Sequence, residues 1–434
     1  MKEYIIIPGC CDLNRGDQAL GWETARVAQD AGFNGQYAIL AERAEPVEQS
    51  IQEGYKIIVP ALEHPSRKFE NKDNIVYNKR TKIMWGVVAA KDFFHSLFIL
   101  KSKWYRQYTI THSKDSGYVE TLKSFQNADA VFMKGGGLIQ SHGGLISTYA
   151  TYYRLYHIFL AHSLQKPVYI LPNSFGPFEG PFVKFMVKRA FQECKFISAR
   201  ERKTQEVVKA ELGMKIPCYP DLAFYLENGT ITKQDLLDQF AVPSDKKIVA
   251  ITMRPYRFPN KKDPETAYKV FQDEMRKFIC WLAEHGYMPF IVEHTFAITS
   301  HENDGDCIKD VINGLDENIY RLLSDRSMNC RQLKSVYGSC DYIIGTRFHS
   351  LIFSLSNMVP GIAISYDGYK SVGIMRDMGL GEYVLDINEV TAQELENKFE
   401  SLTANQKEIK NYIKKYIQFA NKERNQLIKE LKQE

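Results

Sequence analysis

Asp341-Tyr342-Ile343-Ile344-Gly345-Thr346-Arg347-Phe348-His349-Ser350 runs from an apolar stretch of strand length, through a short polar loop, into apolar residues at helical spacing. A strand that hands over to a helix in this way is the repeating unit of a parallel α/β sheet. The same hand-over surrounds it. Upstream, residues 247–253 read as a strand, 265–284 as a helix, 288–293 as a strand and 303–313 as a helix; downstream, 361–365 is a strand. The first half has the same rhythm, with strands at 4–7, 37–40, 56–59, 130–133, 168–171 and 196–198. Two Rossmann-like halves facing each other across a cleft fit this order. The expected division is an N-terminal domain over 1–228, a C-terminal domain over 229–400, and a C-terminal helix over 401–434. Ile409, Ile413, Tyr416, Ile417, Ala420, Leu427, Ile428 and Leu431 give that helix one apolar face, which should pack on the body of the protein.

Parallel sheets bind ligands outside the carboxyl ends of their strands, so residues just beyond each strand are the site candidates. Arg347 and His349 stand two apart at a helix start, where a guanidinium can fork onto carboxylate or phosphate and an imidazole can act as acid or base. Beyond the first strand lies Gly9-Cys10-Cys11-Asp12-Leu13-Asn14-Arg15-Gly16-Asp17, whose free helix-start amides suit an anion and in which Asp17 is either a chemical group or a helix cap. The spacing is not that of a dinucleotide loop. Beyond 130–133 comes Lys134-Gly135-Gly136-Gly137, three glycines that allow close backbone approach without a Walker lysine after them. Ser198-Ala199-Arg200-Glu201 and Tyr219-Pro220-Asp221 place a cation and a carboxylate at two more strand ends, and Tyr366-Asp367-Gly368-Tyr369-Lys370 places a cation beyond another.

Composition narrows the function. The 434 residues are 44% hydrophobic and 25% charged, which excludes a disordered chain, a collagen and a coiled-coil rod. A net charge of +4 is too small to mark a nucleic-acid binder. The eight cysteines show no C-x-x-C pair and no zinc spacing, so no metal site is expected and buried thiols in a reducing cytoplasm are the plain reading. The first apolar run is four residues, too short for a signal peptide, and the run 83–100 is broken by Lys91, Asp92 and His95, so no membrane span is expected. One segment departs from the α/β rhythm: 66–106 carries ten Lys/Arg against three acids, together with eight aromatic residues. Such a segment either meets an anionic membrane surface or is a solvated insertion whose aromatics pack on the domain; its ragged helical periodicity favours the second.

In their order, Asn14-x-Gly16-Asp17-x-Ala19-Leu20, Lys134-Gly135-Gly136-Gly137, Ser198-x-Arg200-Glu201, Pro220-Asp221-x-Ala223-Phe224, Gly345-x-Arg347-x-His349 and Tyr366-Asp367…Lys370 resemble the polysaccharide pyruvyl transferase family over residues 4–375. The resemblance implies a GT-B-like fold. It also implies transfer of pyruvate from phosphoenolpyruvate to two hydroxyls of a sugar, giving a cyclic ketal on a cell-surface polysaccharide or its lipid-linked precursor. Arg200, Arg347 and His349 fall on the family's donor-site positions.

The chemistry agrees with that implication. Phosphoenolpyruvate carries a carboxylate and a phosphate, so Arg200, Arg347, Lys370 and Arg254 are the donor-binding candidates, with Gly135, Gly136 and Gly137 as a backbone anion loop. Protonation of the donor methylene needs an acid, for which His349 is the candidate. The base for the sugar hydroxyl is Asp17, Asp221 or Glu293, and Asn14 with Glu293 are candidate acceptor contacts. No cofactor is expected beyond the donor substrate. The expected location is cytoplasmic, with a peripheral contact on the inner membrane face left open. Two rival readings share the scaffold: a nucleotide-sugar glycosyltransferase, and a non-catalytic glycan-assembly protein.

Overall fold

The structure, a computed structural model, describes residues 1–43, 45–63, 79–296, 302–366 and 370–433, and the backbone alone at 79–82 and 370–371. Two parallel sheets organise it. The first contains β1 (Glu3–Ile7), β2 (Gln36–Leu40), β3 (Lys56–Ile58), β4 (Ala130–Met133), β5 (Gly136–His142), β6 (Val168–Glu179) and β7 (Phe196–Ala199). Its order is β3-β2-β1-β4-β6-β5, with β7 also paired to the long β6. The second contains β8 (Lys247–Thr252), β9 (Tyr287–Val292), β10 (Arg321–Leu323), β11 (Tyr342–Gly345), β12 (Gly361–Ser365) and β13 (Val384–Asp386), in the order β10-β9-β8-β11-β12-β13. Central strands such as Ala130-Val131-Phe132-Met133 and Tyr342-Ile343-Ile344-Gly345 are buried throughout, as strands covered by helices on both faces must be.

Each order reverses once. In the first sheet the chain leaves β1 for β2 and β3 and returns on the other side of β1 as β4; in the second it does the same about β8 and β11. Loops leaving the two strands at such a point diverge and open a crevice at their carboxyl ends. Both halves therefore place their crevices after the strands that precede Asp17, Lys134, Arg254 and Arg347.

The halves are joined closely. Asn14 forms an antiparallel bridge with Thr295, and Phe296 N donates to Leu13 O at 2.9 Å. Gln18 Oε1 accepts from Cys330 N at 2.7 Å, and Arg15 donates to Arg326 O at 2.7 Å. One hydrophobic core runs from a face of the first sheet through the second half, and a second core covers the other face of the first sheet. The C-terminal segment forms two helices, Ala392–Ala404 and Gln406–Gln433. The latter returns to the first half, where Tyr225 OH donates to Ala420 O at 3.0 Å and Arg424 pairs with Asp30.

Of the basic aromatic segment, residues 66–78 lie outside the described residues. The remainder forms the helices Lys79–Lys101 and Lys103–His112. Part of the packing expectation holds: Phe93 meets Tyr152, and His95 hydrogen-bonds the hydroxyls of Tyr105 and Tyr118 at 2.9 and 3.1 Å. Phe94, Phe98 and Trp104 break it, because all three are more than half exposed. The stretch Ile83–Lys101 is also long and apolar enough to cross a membrane by length and composition, which the three polar residues within it do not prevent.

Candidate active site

A cavity of about 530 Å³ lies where the carboxyl ends of the two sheets converge. Its first wall begins at the helix Arg15–Asp30. Asn14 caps that helix: its Oδ1 accepts from Asp17 N and its Nδ2 donates to Asp17 Oδ2, each at 3.2 Å. Asn14 rather than Asp17 is therefore the cap, which corrects the capping alternative and leaves the Asp17 carboxylate at the cavity wall, 40% exposed. Its Oδ1 accepts from Lys134 Nζ at 2.7 Å. Lys134 follows β4 and is 1% exposed. Burial alone would depress the Lys134 ammonium, but Asp17 beside it leaves the group raised and charged.

Gly16 has a steric reason to be glycine. A Cβ there would lie 2.1 Å from Nδ1 of His349, so the imidazole from the second half rests directly on the backbone of the first. Gly135 is also a packing position, since a Cβ would stand 2.9 Å from Leu20 and 3.0 Å from Pro172 O. Of the expected anion loop only Gly136 and Gly137 reach the cavity, and they open β5 instead of forming a loop. That strand was missed because its glycine start reads as a turn.

Arg200 lines the cavity beyond β7 with its guanidinium already engaged. It donates to Ser174 Oγ and to Asp221 Oδ2, both at 2.7 Å, and lies over the Phe348 ring at 5.1 Å. Asp221 is fully buried behind it, accepting also from Ala223 N at 2.9 Å, and does not line the cavity. This corrects its assignment as a substrate base: its carboxylate orients Arg200 and stands 4.0 Å from His349 Nε2.

The second wall comes from the loops after β8, β9 and β11. Arg347 donates through Nε and Nη2 to Asp304 Oδ1 at 2.8 and 2.6 Å. It also donates through Nη1 to Glu302 Oε2 at 3.0 Å and through Nη2 to Glu302 O at 2.7 Å. Asp304 is buried and further accepts from the backbone N–H of His294 and Thr295, so it ties the β9 loop to Arg347. Arg254 lies over Tyr366 at 4.3 Å and donates to Glu302 Oε1 at 3.1 Å. Glu302, 49% exposed, thus bridges two guanidiniums with one carboxylate.

His349 lies at the cavity between these walls. Burial lowers it to about 4, against the pull of Asp221, so at neutral pH the imidazole is uncharged. Its Nε2, Nε2 of His294 and Oγ1 of Thr295 are buried polar atoms without a hydrogen-bond partner among the described residues, and all three residues line the cavity. His294 is held through Nδ1 by Tyr337 OH at 3.1 Å, and burial pushes it far below the usual histidine range.

Glu293 is corrected as an acceptor contact or base. Its Oε2 accepts from Ser324 Oγ at 2.5 Å, its Oε1 faces Gly305, and it does not line the cavity. The neighbouring His294 takes the cavity position, a one-residue difference at a strand end. The Lys370 side chain, with Asp367, lies outside the described residues. Lys134 was quoted only as the start of the glycine motif, and His294, Thr295, Glu302 and Asp304 were missed, although His294 directly follows a predicted strand. Among the described residues no group of three or more His, Cys, Asp or Glu is arranged to hold a metal ion.

Residues of five of the six motifs thus line one cavity, and a model of the polysaccharide pyruvyl transferase family matches residues 14–368. The chain belongs to this family. It is similar to the amylovoran biosynthesis protein AmsJ of Erwinia amylovora, at 25% identity over 346 residues, covering 78% of this chain and 77% of that one. Among solved structures it is similar to HepE of Anabaena in complex with UDP and glucose, with a TM-score of 0.53 at 11% identity, covering 97% of this chain and 95% of that one. It is also similar to the UDP-GlcNAc 2-epimerase of Neisseria meningitidis bound to UDP-GlcNAc, with a TM-score of 0.52 at 9% identity, covering 95% and 94%. The pyruvyl transferase family member described here accordingly has a GT-B-like fold of two parallel α/β halves.

Proposed function

We propose that this polysaccharide pyruvyl transferase moves pyruvate from phosphoenolpyruvate onto two hydroxyls of a sugar, in a cell-surface polysaccharide or its lipid-linked precursor at the cytoplasmic face. The observation that carries the reading is an uncharged His349, with Nε2 unpartnered among the described residues, in a cavity ringed by Lys134, Arg200, Arg254 and Arg347. Glu302 supports it, since a carboxylate spanning Arg254 and Arg347 has the form a donor carboxylate or phosphate would take.

The donor brings its own acid into being. Its negative charge beside His349 raises the proton affinity of the imidazole, so binding takes up a proton and tightens as pH falls. Protonated His349 delivers that proton to C3 of the enol, and the first sugar hydroxyl bonds to C2 while losing its proton to a base. Of the three base candidates Asp17 is the one at the cavity wall. The second hydroxyl then bonds to C2, the C2–O bond to phosphate breaks, and the hydroxyl proton leaves with the phosphate. The balance needs no oxidant, reductant or cofactor.

The test is turnover with phosphoenolpyruvate and an oligosaccharide repeat unit as acceptor. The expected result is inorganic phosphate released one-for-one with an acid-labile pyruvyl ketal on the acceptor. Transfer of sugar from a UDP-sugar with no use of phosphoenolpyruvate would make the chain a glycosyltransferase instead, and absence of turnover with any glycan lipid would favour the assembly-protein reading.

A further inference from the structure

We infer that the outer face of the helix Lys79–Lys101, with Trp104 and Tyr108 of the next helix, docks on the surface of an anionic bilayer. This goes beyond the proposed transfer reaction and stands independently of it. Ile83, Val87, Phe94 and Phe98 recur at spacings of four and seven on one side of the helix, and each is more than half exposed. Between Ile83 and Phe98 this stripe is about 22 Å long at 1.5 Å per residue. Apolar surface of that extent is uncommon on a face that meets only water.

The opposite side is already occupied. Ser96 and Ile99 are buried, Ser96 Oγ is 2.8 Å from Tyr152 OH, and Arg106 Nε donates to Ile99 O at 2.9 Å. The C-terminal half of the helix therefore lies on its domain, which is the geometry of a surface contact and not of a span.

Charge chooses the occupant. Among the described side chains Lys91 and Lys101 are the exposed charges along the stripe, and Lys103 follows on the next helix. The one acid between residues 83 and 112 is Asp92, which lines a groove with His95 and with Tyr108 of the next helix. A second copy docked on this face would oppose lysine to lysine with no carboxylate between them. Anionic lipid headgroups complement the lysines, and a stacked, exposed Trp104–Tyr108 pair suits the boundary between headgroup and acyl chain.

The experiment is co-sedimentation of the full chain with vesicles of phosphatidylcholine, alone or mixed with phosphatidylglycerol, at low and high salt. Wild type should sediment with the anionic vesicles at low salt and be released by high salt. Phe94→Asp with Phe98→Asp should weaken binding by roughly tenfold or more, and Lys91→Glu with Lys101→Glu and Lys103→Glu should abolish the preference for phosphatidylglycerol. All these positions are exposed, so melting temperatures and turnover on a water-soluble acceptor should match wild type; loss of turnover in the wild type itself would overturn the transferase reading and leave this one standing. Wild type remaining in the supernatant at low salt would overturn the docking surface. So would variants that sediment like wild type, bound protein that resists alkaline carbonate as a span does, or a wild-type dimer that the phenylalanine variants convert to monomer while neither binds vesicles.

Discussion

The two walls of the cavity hold their charges differently. On the wall from the first half, each cation has a carboxylate of its own: Lys134 has Asp17, and Arg200 has the fully buried Asp221. On the wall from the second half, Arg347 also has a buried carboxylate, Asp304, but it shares the half-exposed Glu302 with Arg254, and His294 and His349 each present a nitrogen unpartnered among the described residues. A buried pair is costly to open, because separating it strands a charge out of water. A half-exposed carboxylate shared by two guanidiniums is readily displaced, because water receives it. The buried Arg200–Asp221 and Arg347–Asp304 pairs are thus a fixed frame, one on each wall, and Glu302 on the second wall is where an incoming anion can exchange for a protein one. On the proposed reading the donor lies against the second wall and the sugar toward the first.

The largest expected effect separates residues at the cavity from those turned away. His349→Gln should keep donor binding and reduce turnover by roughly 10²–10⁴-fold, the range for loss of general acid catalysis. Glu293→Gln, at a residue spent on Ser324, should leave turnover close to wild type. The measurement is steady-state phosphate release; equal losses in both variants would break the division of roles.

The second prediction divides two arginines of the same wall. Arg347→Ala leaves the buried Asp304 without its ion pair, and should cost about 3–5 kcal/mol of stability in denaturant melts. Arg254, whose partner Glu302 is half exposed, should tolerate alanine with little change in stability and still lose donor affinity. The stability effect makes Arg254 the cleaner probe of donor binding.

How much of this was legible in sequence follows from what a pattern carries. The strands β1, β4, β8, β11 and β12 are runs of large apolar residues bounded by polar ones, and they stand out unaided. The edge strands β10 and β13 are three residues each and have no readable period. Strand-end reasoning found Asp17, Arg200, Arg254, Arg347 and His349, all at the cavity. It did not find what those residues touch. Arg200 and Arg347 look alike as isolated cations, and only contacts across many residues, to Asp221 and Asp304, show that both are held by protein carboxylates. Exposure was equally hidden: Phe93 and Phe94 are neighbours in sequence, yet one packs on Tyr152 and the other faces outward.

A pH series sharpens the contrast between wall and core. Burial lowers both His349 at the cavity and His157 in the core to about 4 from an ordinary 6.5. A histidine with a depressed folded pKa stabilises the fold above its unfolded pKa, and that contribution is lost as pH falls from about 6.5 toward about 4. The melting temperature should fall across this window, and His349→Gln and His157→Gln should each flatten part of the fall. A smaller effect belongs to Glu302: Glu302→Gln frees two guanidiniums and should tighten donor binding by roughly twofold to fivefold, as for an exposed ion pair of up to about 1 kcal/mol.

Calorimetric titration of phosphoenolpyruvate into wild type and Arg254→Ala, each confirmed folded by its melt, tests the donor site most directly. The account predicts saturable binding to wild type, proton uptake that grows with a buffer series, and loss of binding in Arg254→Ala. Equal affinity in the two proteins, or heat from UDP with none from phosphoenolpyruvate, would contradict it.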